Sequence, residues 1–293
     1  MPLFDSDFLK KLEYLSLISK RVFRGSLMAQ RRTMQLGTGI EFADHREYTA
    51  GDDFRYIDWN LFARHDELLL KRFQEEEDLH VYFLVDCSRS MAFGGPPKFD
   101  FARRVAAALA YIALADLDRI AVTAFANDIV ADFPLTRGKG RILSLLKFFE
   151  GLSAQGEDTN LERVATGFVH RDQRRGLVVI ISDLYDPNGF ERGLDLLRHR
   201  RYEPHVVQVY DKYEKEPADM LGDVEMWDVE SGDSRKVTVT EKNLRQYRQL
   251  FTEFQEKVQA YCNRYALGCT RTSTEIAFDE LILRMMRQAG AVR

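Results

Sequence analysis

Cysteine is scarce in this chain: Cys87, Cys262 and Cys269 are the only three among 293 residues. Their number is odd and no two have C-x-x-C spacing, so neither a disulfide framework nor a thiolate zinc site is indicated. A reducing, cytoplasmic location is expected. Long apolar runs are also missing. No stretch approaches the ~18 residues that a membrane span needs, and residues 1–7 lack a basic stretch leading into an apolar one. The expectation is a soluble, unprocessed chain with no membrane insertion. Nor does one sign of charge dominate: 42 Lys and Arg against 46 Asp and Glu leave a formal charge of -4, with no electrostatic footprint for nucleic acid. Short basic runs at 171–175 and 198–201 read as solvated loop or helix ends. The motifs G-x-S-x-G, H-E-x-x-H and G-x-x-x-x-G-K-[ST] do not occur, which removes the usual sequence pointers to serine hydrolysis, zinc proteolysis and phosphate-loop chemistry.

What is present is a regular alternation. Asp5 or Ser6 can cap a first helix carrying Phe8, Leu9, Leu12, Leu15 and Ile18 and ending near Arg21. A turn-rich, charged stretch follows to about residue 66, then a strand at 68–73 and the acidic run Glu75-Glu76-Glu77-Asp78, read as a solvated turn. From residue 79 strands and helices alternate: strand 79–85, an Ala-rich helix 98–115, a hairpin of 119–126 with 129–135, helices at 138–149 and 160–171, the buried strand 177–181, helix 190–200 and strand 205–210. This order predicts a parallel sheet covered by helices on both faces. Beyond Asp211 a hairpin turning at Gly232-Asp233 is expected. A long helix follows whose Leu244, Tyr247, Leu250, Phe251, Phe254, Val258 and Tyr261 form a packing stripe, then a strand at 268–273 and a helix at 277–289. Three regions are expected: 1–78, 79–211, and 212–293 packing with the N-terminal arm as an accessory β-rich unit.

The run Asp86-Cys87-Ser88-Arg89-Ser90 closes the first strand of the alternation. Ligands of open parallel sheets gather at the carboxyl ends of strands, and one carboxylate with two hydroxyls suits a hard cation, Mg²⁺ before Ca²⁺. Three ligands fall short of the six or so oxygens that such an ion takes. Thr159, in the loop Gly156-Glu157-Asp158-Thr159-Asn160, and Asp183, after the buried strand, can reach the same edge. Cys87 is expected to point into the core, since a hard cation disfavours thiolate.

These five residues resemble the metal-ion-dependent adhesion site of von Willebrand factor A domains: D-x-S-x-S filled by Asp86, Ser88 and Ser90, then Thr159, then Asp183. The resemblance implies an α/β, three-layer Rossmann-like domain. It also implies a protein-binding role, in which a partner's Glu or Asp completes the shell of a bound Mg²⁺, with Mn²⁺ or Ca²⁺ as substitutes. A longer pattern, Arg46-Glu47-Tyr48, Gly51-Asp52-Asp53, Arg55, Ile57-Asp58-Trp59-Asn60 and Ala63-Arg64, resembles the bacterial family called domain of unknown function 58. That family is associated with MoxR-type AAA+ ATPases. The likeness implies an adaptor or co-chaperone in bacterial complex assembly or metal insertion, meeting that ATPase or an acidic client. Many members carry N-terminal membrane helices, and this chain departs from them there. The signature segment reads as an ion-pair and capping network that pins an irregular arm to the sheet, with Tyr56, Ile57 and Trp59 as apolar anchors. The competing reading is a Mg²⁺-dependent phosphohydrolase with Asp86 as nucleophile. In phosphohydrolases of the haloacid dehalogenase type the acid/base Asp stands two residues after the nucleophile, and here that position is Ser88. A non-enzymatic module is therefore expected.

Overall fold

A computed structural model describes residues 3–19, 41–74, 79–155, 158–171, 173–217, 221–227 and 234–288. The turn at Gly232-Asp233, the acidic run at 75–78 and the end of the first helix beyond Ser19 lie outside the described residues. Two compact units form, one from residues 24–78 and one from residues 1–23 together with 79–293.

The larger unit is built on six strands: β3 (His80–Asp86), β4 (Arg119–Phe125), β5 (Ile129–Arg137), β6 (Leu177–Ser182), β7 (Glu203–Tyr210) and β10 (Gly268–Ser273). Their order is β10-β7-β6-β3-β4-β5, parallel throughout except for β5, which runs antiparallel to β4 as the short Asn127-Asp128 connection requires. Every residue of β3 is buried, as expected of a central strand covered on both faces.

Side-chain parity divides the core in two. Val81, Phe83 and Val85 of β3 join Val179 and Ile181 of β6 beneath α1 (Ser6–Ser19), α3 (Lys98–Ala115), α4 (Ile142–Gly151) and α9 (Phe278–Gln288). Tyr82 and Leu84 join Val178 and Ile180 on the opposite face, beneath α5 (Leu161–Val169), α6 (Glu191–His199) and α8 (Glu241–Arg264). This is the three-layer α/β architecture that the alternation predicts. Asp5 supplies the first cap, accepting from Phe8 N at 2.8 Å.

The sheet does not end at Asp211. Strand β10 pairs in parallel with β7, from Gly268 opposite His205 to Ser273 opposite Tyr210, so the C-terminal region contributes the sixth strand and covering helices. A boundary drawn where the sequence turns polar divides one layered unit, because the strand that completes it returns after a 24-residue helix. The hairpin of β8 (Gly222–Trp227) and β9 (Ser234–Val239) is a separate two-stranded sheet, as is β1 (Glu41–Glu47) with β2 (Leu69–Gln74). Among the described residues, strands from the two ends of the chain therefore do not share an accessory sheet.

Within the smaller unit the signature segment closes the β1–β2 ribbon. Asp52 accepts from Arg46 at 2.6 Å, Asp53 caps a 3₁₀ turn and pairs with Arg55, and Asp58 caps α2 (Trp59–His65). The Asp58 carboxylate also meets His45 at 3.1 Å and Lys71 at 3.3 Å. Ion pairs and caps thus organise the segment as expected. Of the three expected anchors, Ile57 is buried, Tyr56 is half-buried and Trp59 is 58% exposed. Trp59 stands at the first position of α2, where the capped start of the helix turns its side chain out, edge-on to Phe62.

Candidate metal centre

The end of β3 carries Asp86 into the interior. Its register neighbours are Phe125 on β4 and, one step earlier, Ile181 opposite Val85 on β6, so the Asp86 side chain emerges where loops from three strands meet. The chain turns at once: Ser88 N donates to Asp86 Oδ1 at 2.9 Å, and a 3₁₀ turn over Arg89–Ala92 follows. The hydroxyls of Ser88 and Ser90 lie 3.0 Å apart. Cys87 N donates to Phe125 O at 2.7 Å, and Gln155 N donates to Cys87 O at 2.7 Å, which ties this loop to the one carrying Thr159. Thr159 Oγ1 comes within 3.5 Å of Asp86 Oδ2. Asn160 then caps α5 through Arg163 N, while Asp186 Oδ2 accepts from Leu161 N at 2.7 Å and locks the third loop on.

Asp86, Ser88, Ser90 and Thr159 are thus gathered into one cluster. Asp183 lies at the same edge with both oxygens engaged elsewhere. Its Oδ1 accepts from Tyr185 N at 3.0 Å, and its Oδ2 meets the ammonium of Lys98 at 2.7 Å. Lys98, fully buried at the start of α3, also reaches Glu214 Oε1 at 2.5 Å and lies 5.0 Å from the centre of the Tyr185 ring. Glu214 Oε2 accepts from Asp211 N in the capping box of α7 (Lys212–Lys215), and Asp211 Oδ2 accepts from Thr274 Oγ1 at 2.8 Å, just past β10. Gly94 (φ +105°) passes so close that a Cβ would lie 2.6 Å from Asp211 Oδ2. No side chain is tolerated where the Asp86 loop crosses Asp211.

Electrostatics at this edge are unbalanced. Asp86, Asp183, Asp211 and Glu214 are all buried, and Lys98 is the only buried lysine or arginine among the described residues. Burial, and then repulsion from Asp183, pushes the Asp86 carboxyl up to about 7, although hydrogen bonds from Ser182 and Ser88 pull the other way. Burial opposes the Lys98 ammonium, but Asp183 and Glu214 outweigh it and hold its pKa above the ordinary lysine value. Burial also raises the Glu214 carboxyl, an effect that Lys98 counters in part. The Cys87 thiol is pushed up to about 12 by burial and by Asp86, and its Sγ is 3.1 Å from Phe125 O. It is a buried thiol facing the core, as expected.

Sequence reasoning missed three residues of this edge. Ser182 gives Asp86 its shortest contact, 2.5 Å from Oγ to Oδ2, and its Oγ also accepts from Leu184 N. Its place beside Asp86 follows from strand order, which local pattern does not disclose. Lys98 did carry a signal: a cation in the first turn of an otherwise apolar helix opposes the helix dipole, so a buried acid should answer it. Glu214 had only the capping-box spacing Asp211-x-x-Glu214. Beside Tyr185, the packing stripe of α8 is incomplete. Leu244, Phe251 and Val258 are buried, whereas Tyr247 and Leu250 are exposed and line, with Tyr185, Phe251 and Phe254, an open apolar cavity of about 360 Å³.

The donor set fits a hard divalent cation. One carboxylate and three hydroxyls present oxygen only, and the surrounding buried carboxyl groups outnumber the buried cation. A layered, mostly parallel sheet with Asp-x-Ser-x-Ser at the carboxyl end of its central strand defines a three-layer α/β domain with a candidate site at that edge. The chain belongs to the family described as protein of unknown function DUF58, whose pattern matches residues 44–258. It is 27% identical over 232 residues to the uncharacterized proteins Rv1480 of Mycobacterium tuberculosis and Mb1516 of Mycobacterium bovis, covering 78% of this chain and 73% of each of those. Among solved structures, BatB from Bacteroides thetaiotaomicron is similar with a TM-score of 0.44 and 14% identity, over 73% of this chain and 100% of BatB. An aerotolerance-related membrane protein from Bacteroides fragilis is similar with a TM-score of 0.43 and 14% identity, over 72% and 99%. Among the described residues no helix is long and apolar enough to cross a membrane.

Proposed function

We propose that this protein is a metal-dependent protein-binding module. Asp86, Ser88, Ser90 and Thr159 hold Mg²⁺, with Mn²⁺ or Ca²⁺ as substitutes, and Asp183 stands behind them. When bound, the ion supplies an open coordination position for a carboxylate oxygen of a partner protein. The observation that carries this reading is the charge shortfall at the carboxyl edge, where a fully buried Asp86 has hydroxyl and amide partners and, among the described residues, no cation of its own. The chain's own part is positional. Ser88 N and the Ser182 hydroxyl fix the Asp86 carboxylate, and the links from Gln155 N to Cys87 O and from Leu161 N to Asp186 hold the three loops in register. Ser88 stands where a phosphohydrolase of the haloacid dehalogenase type has its acid/base Asp, two residues after the nucleophile, so recognition is favoured over phosphate hydrolysis. The resemblance to MoxR-associated proteins supports a MoxR-type AAA+ ATPase as the partner, or a client that the ATPase acts on, with an exposed Glu or Asp at the contact. The protein in this role is an adaptor. Affinity capture of that ATPase on the immobilised protein tests the reading. Capture is expected in Mg²⁺ and is lost in EDTA and with Asp86→Ala; equal capture in all three, with the variant folded, overturns it.

A further inference from the structure

Lys98 stands where a second positive charge at the metal edge is least expected. Its ammonium is wholly buried, 2.7 Å from Asp183 Oδ2 and 2.5 Å from Glu214 Oε1, with the Tyr185 ring as a third wall. A buried ammonium at the N-terminal turn of α3 is held against the helix dipole only because two carboxylates answer it. One of those carboxylates is the fifth member of the adhesion-site pattern. The ammonium takes one lone pair of Asp183 Oδ2 and offsets the charge of the carboxylate, so Asp183 attracts an ion less strongly than it would without the lysine. The lysine and the ion therefore draw on the same charge.

We propose that Lys98 is an internal cation that competes with the metal for Asp183, and that Glu214 sets the terms by drawing the ammonium away from Asp183. The inference rests on the metal reading of the Asp86 cluster. Its consequence for recognition is direct. While Lys98 offsets part of the Asp183 charge, Asp86 is the one carboxylate of the pattern left wholly to the ion, which keeps a larger net positive charge, so it pulls harder on an incoming carboxylate while being held less firmly itself. Weak resident metal and strong dependence on an acidic partner are two faces of one arrangement. Lys98 is in this sense a positioning residue: it acts on Asp183 and not on the partner.

The geometry makes opposite demands of two variants. Glu214→Gln leaves the ammonium to Asp183 alone and is expected to weaken Mg²⁺ binding. Lys98→Met with Glu214→Gln removes one charge of each sign, keeps an oxygen acceptor for Asp211 N, and frees Asp183 with the net charge unchanged, so Mg²⁺ should bind about tenfold tighter, the effect of returning one uncompensated carboxylate to the ion in a partly screened interior. Isothermal titration of Mg²⁺ into the full chain measures both, with near-UV circular dichroism to establish native packing. Asp86→Asn, added to each, reports whether the bound ion is at the cluster. If the double variant, natively folded, binds Mg²⁺ no tighter than the natural chain, the competition is refuted. In that case Asp86-dependent binding by both proteins would leave the metal reading standing, and absence of binding in both would remove the two together. Binding by the double variant alone would show that the lysine fills the ion's place. Should the double variant lose its native packing, the single variant decides: unchanged or tighter Mg²⁺ binding by Glu214→Gln overturns the proposal.

Discussion

Asp86 is uncomfortable without a cation, and the discomfort can be weighed. Burial and the nearby Asp183 raise its pKa from 3.8 to about 7, so between those values the folded protein binds a proton that the unfolded chain does not. The stabilising contribution of that proton is complete below pH 3.8 and is lost as the pH rises through 7. At pH 8 the ionised carboxylate therefore costs about 4 kcal/mol relative to acid, and at pH 5 less than about half of that, from 1.36 kcal/mol per pH unit. Asp86→Asn removes the titration while keeping the shape. In EDTA the variant should gain on the natural chain by about 3 kcal/mol between pH 5 and pH 8, roughly 6–10 °C of melting temperature for a domain of this size. In excess Mg²⁺ the ranking at pH 8 should reverse, because only the carboxylate binds the ion strongly. Urea or thermal unfolding followed by circular dichroism at the two pH values, with and without the metal, gives the four numbers needed. Parallel pH dependences for the two proteins in EDTA would refute the claim that Asp86 is a desolvated carboxylate.

His205 makes the opposite prediction. Burial lowers its pKa from 6.5 to about 4, so stability should fall as the pH drops below 6.5, by about 2 kcal/mol at pH 5. His205→Gln, which keeps a partner for the Thr270 hydroxyl at 3.1 Å, should lack that slope in urea unfolding curves. Gly193 is packed so closely that a Cβ would lie 2.6 Å from Leu161 Cγ and 2.8 Å from the Leu161 carbonyl carbon. Gly193→Ala should therefore destabilise by about 1–3 kcal/mol and, by pushing on the residue two after Thr159, weaken Mg²⁺ binding in calorimetry. In the signature segment, Ile57→Ala should cost about 2–4 kcal/mol and Trp59→Ala less than about 0.5 kcal/mol, read from chemical denaturation, because only the isoleucine is buried. Equal costs would contradict the observed exposure of Trp59.

The layered fold was legible because burial on both faces leaves continuous apolar runs, such as Leu177 to Ile181, and because helix-length segments separate them. Asp86, Ser88 and Ser90 were legible because they are local: their spacing alone aims three oxygens at one point. Thr159 required the longer pattern, and the hydrogen bonds from Gln155 to Cys87 and from Asn160 to Ala126 bring its loop there. Strand order was not legible. Nothing near residue 268 indicates that the strand it opens pairs with β7. For the same reason the Lys98 pairings, which span 85 and 116 residues, could not be read from spacing. Trp59 misled because an aromatic residue beside a buried Ile reads as core, while one step of helix rotation decides between interior and solvent.

The bond from the Thr274 hydroxyl to Asp211, just beyond the last strand, also bears on the timing of biosynthesis. Asp86, Lys98 and Asp183 are all translated long before it. A nascent chain that has emerged only as far as β7 carries Asp86, Ser88, Ser90, Thr159 and Asp183, yet lacks both the strand that flanks β7 and the hydroxyl that steadies Asp211 next to Glu214. The carboxyl edge is therefore completed only after residue 274 has cleared the ribosome, so, in the proposed role, an unfinished polypeptide would present an unfinished surface to a partner.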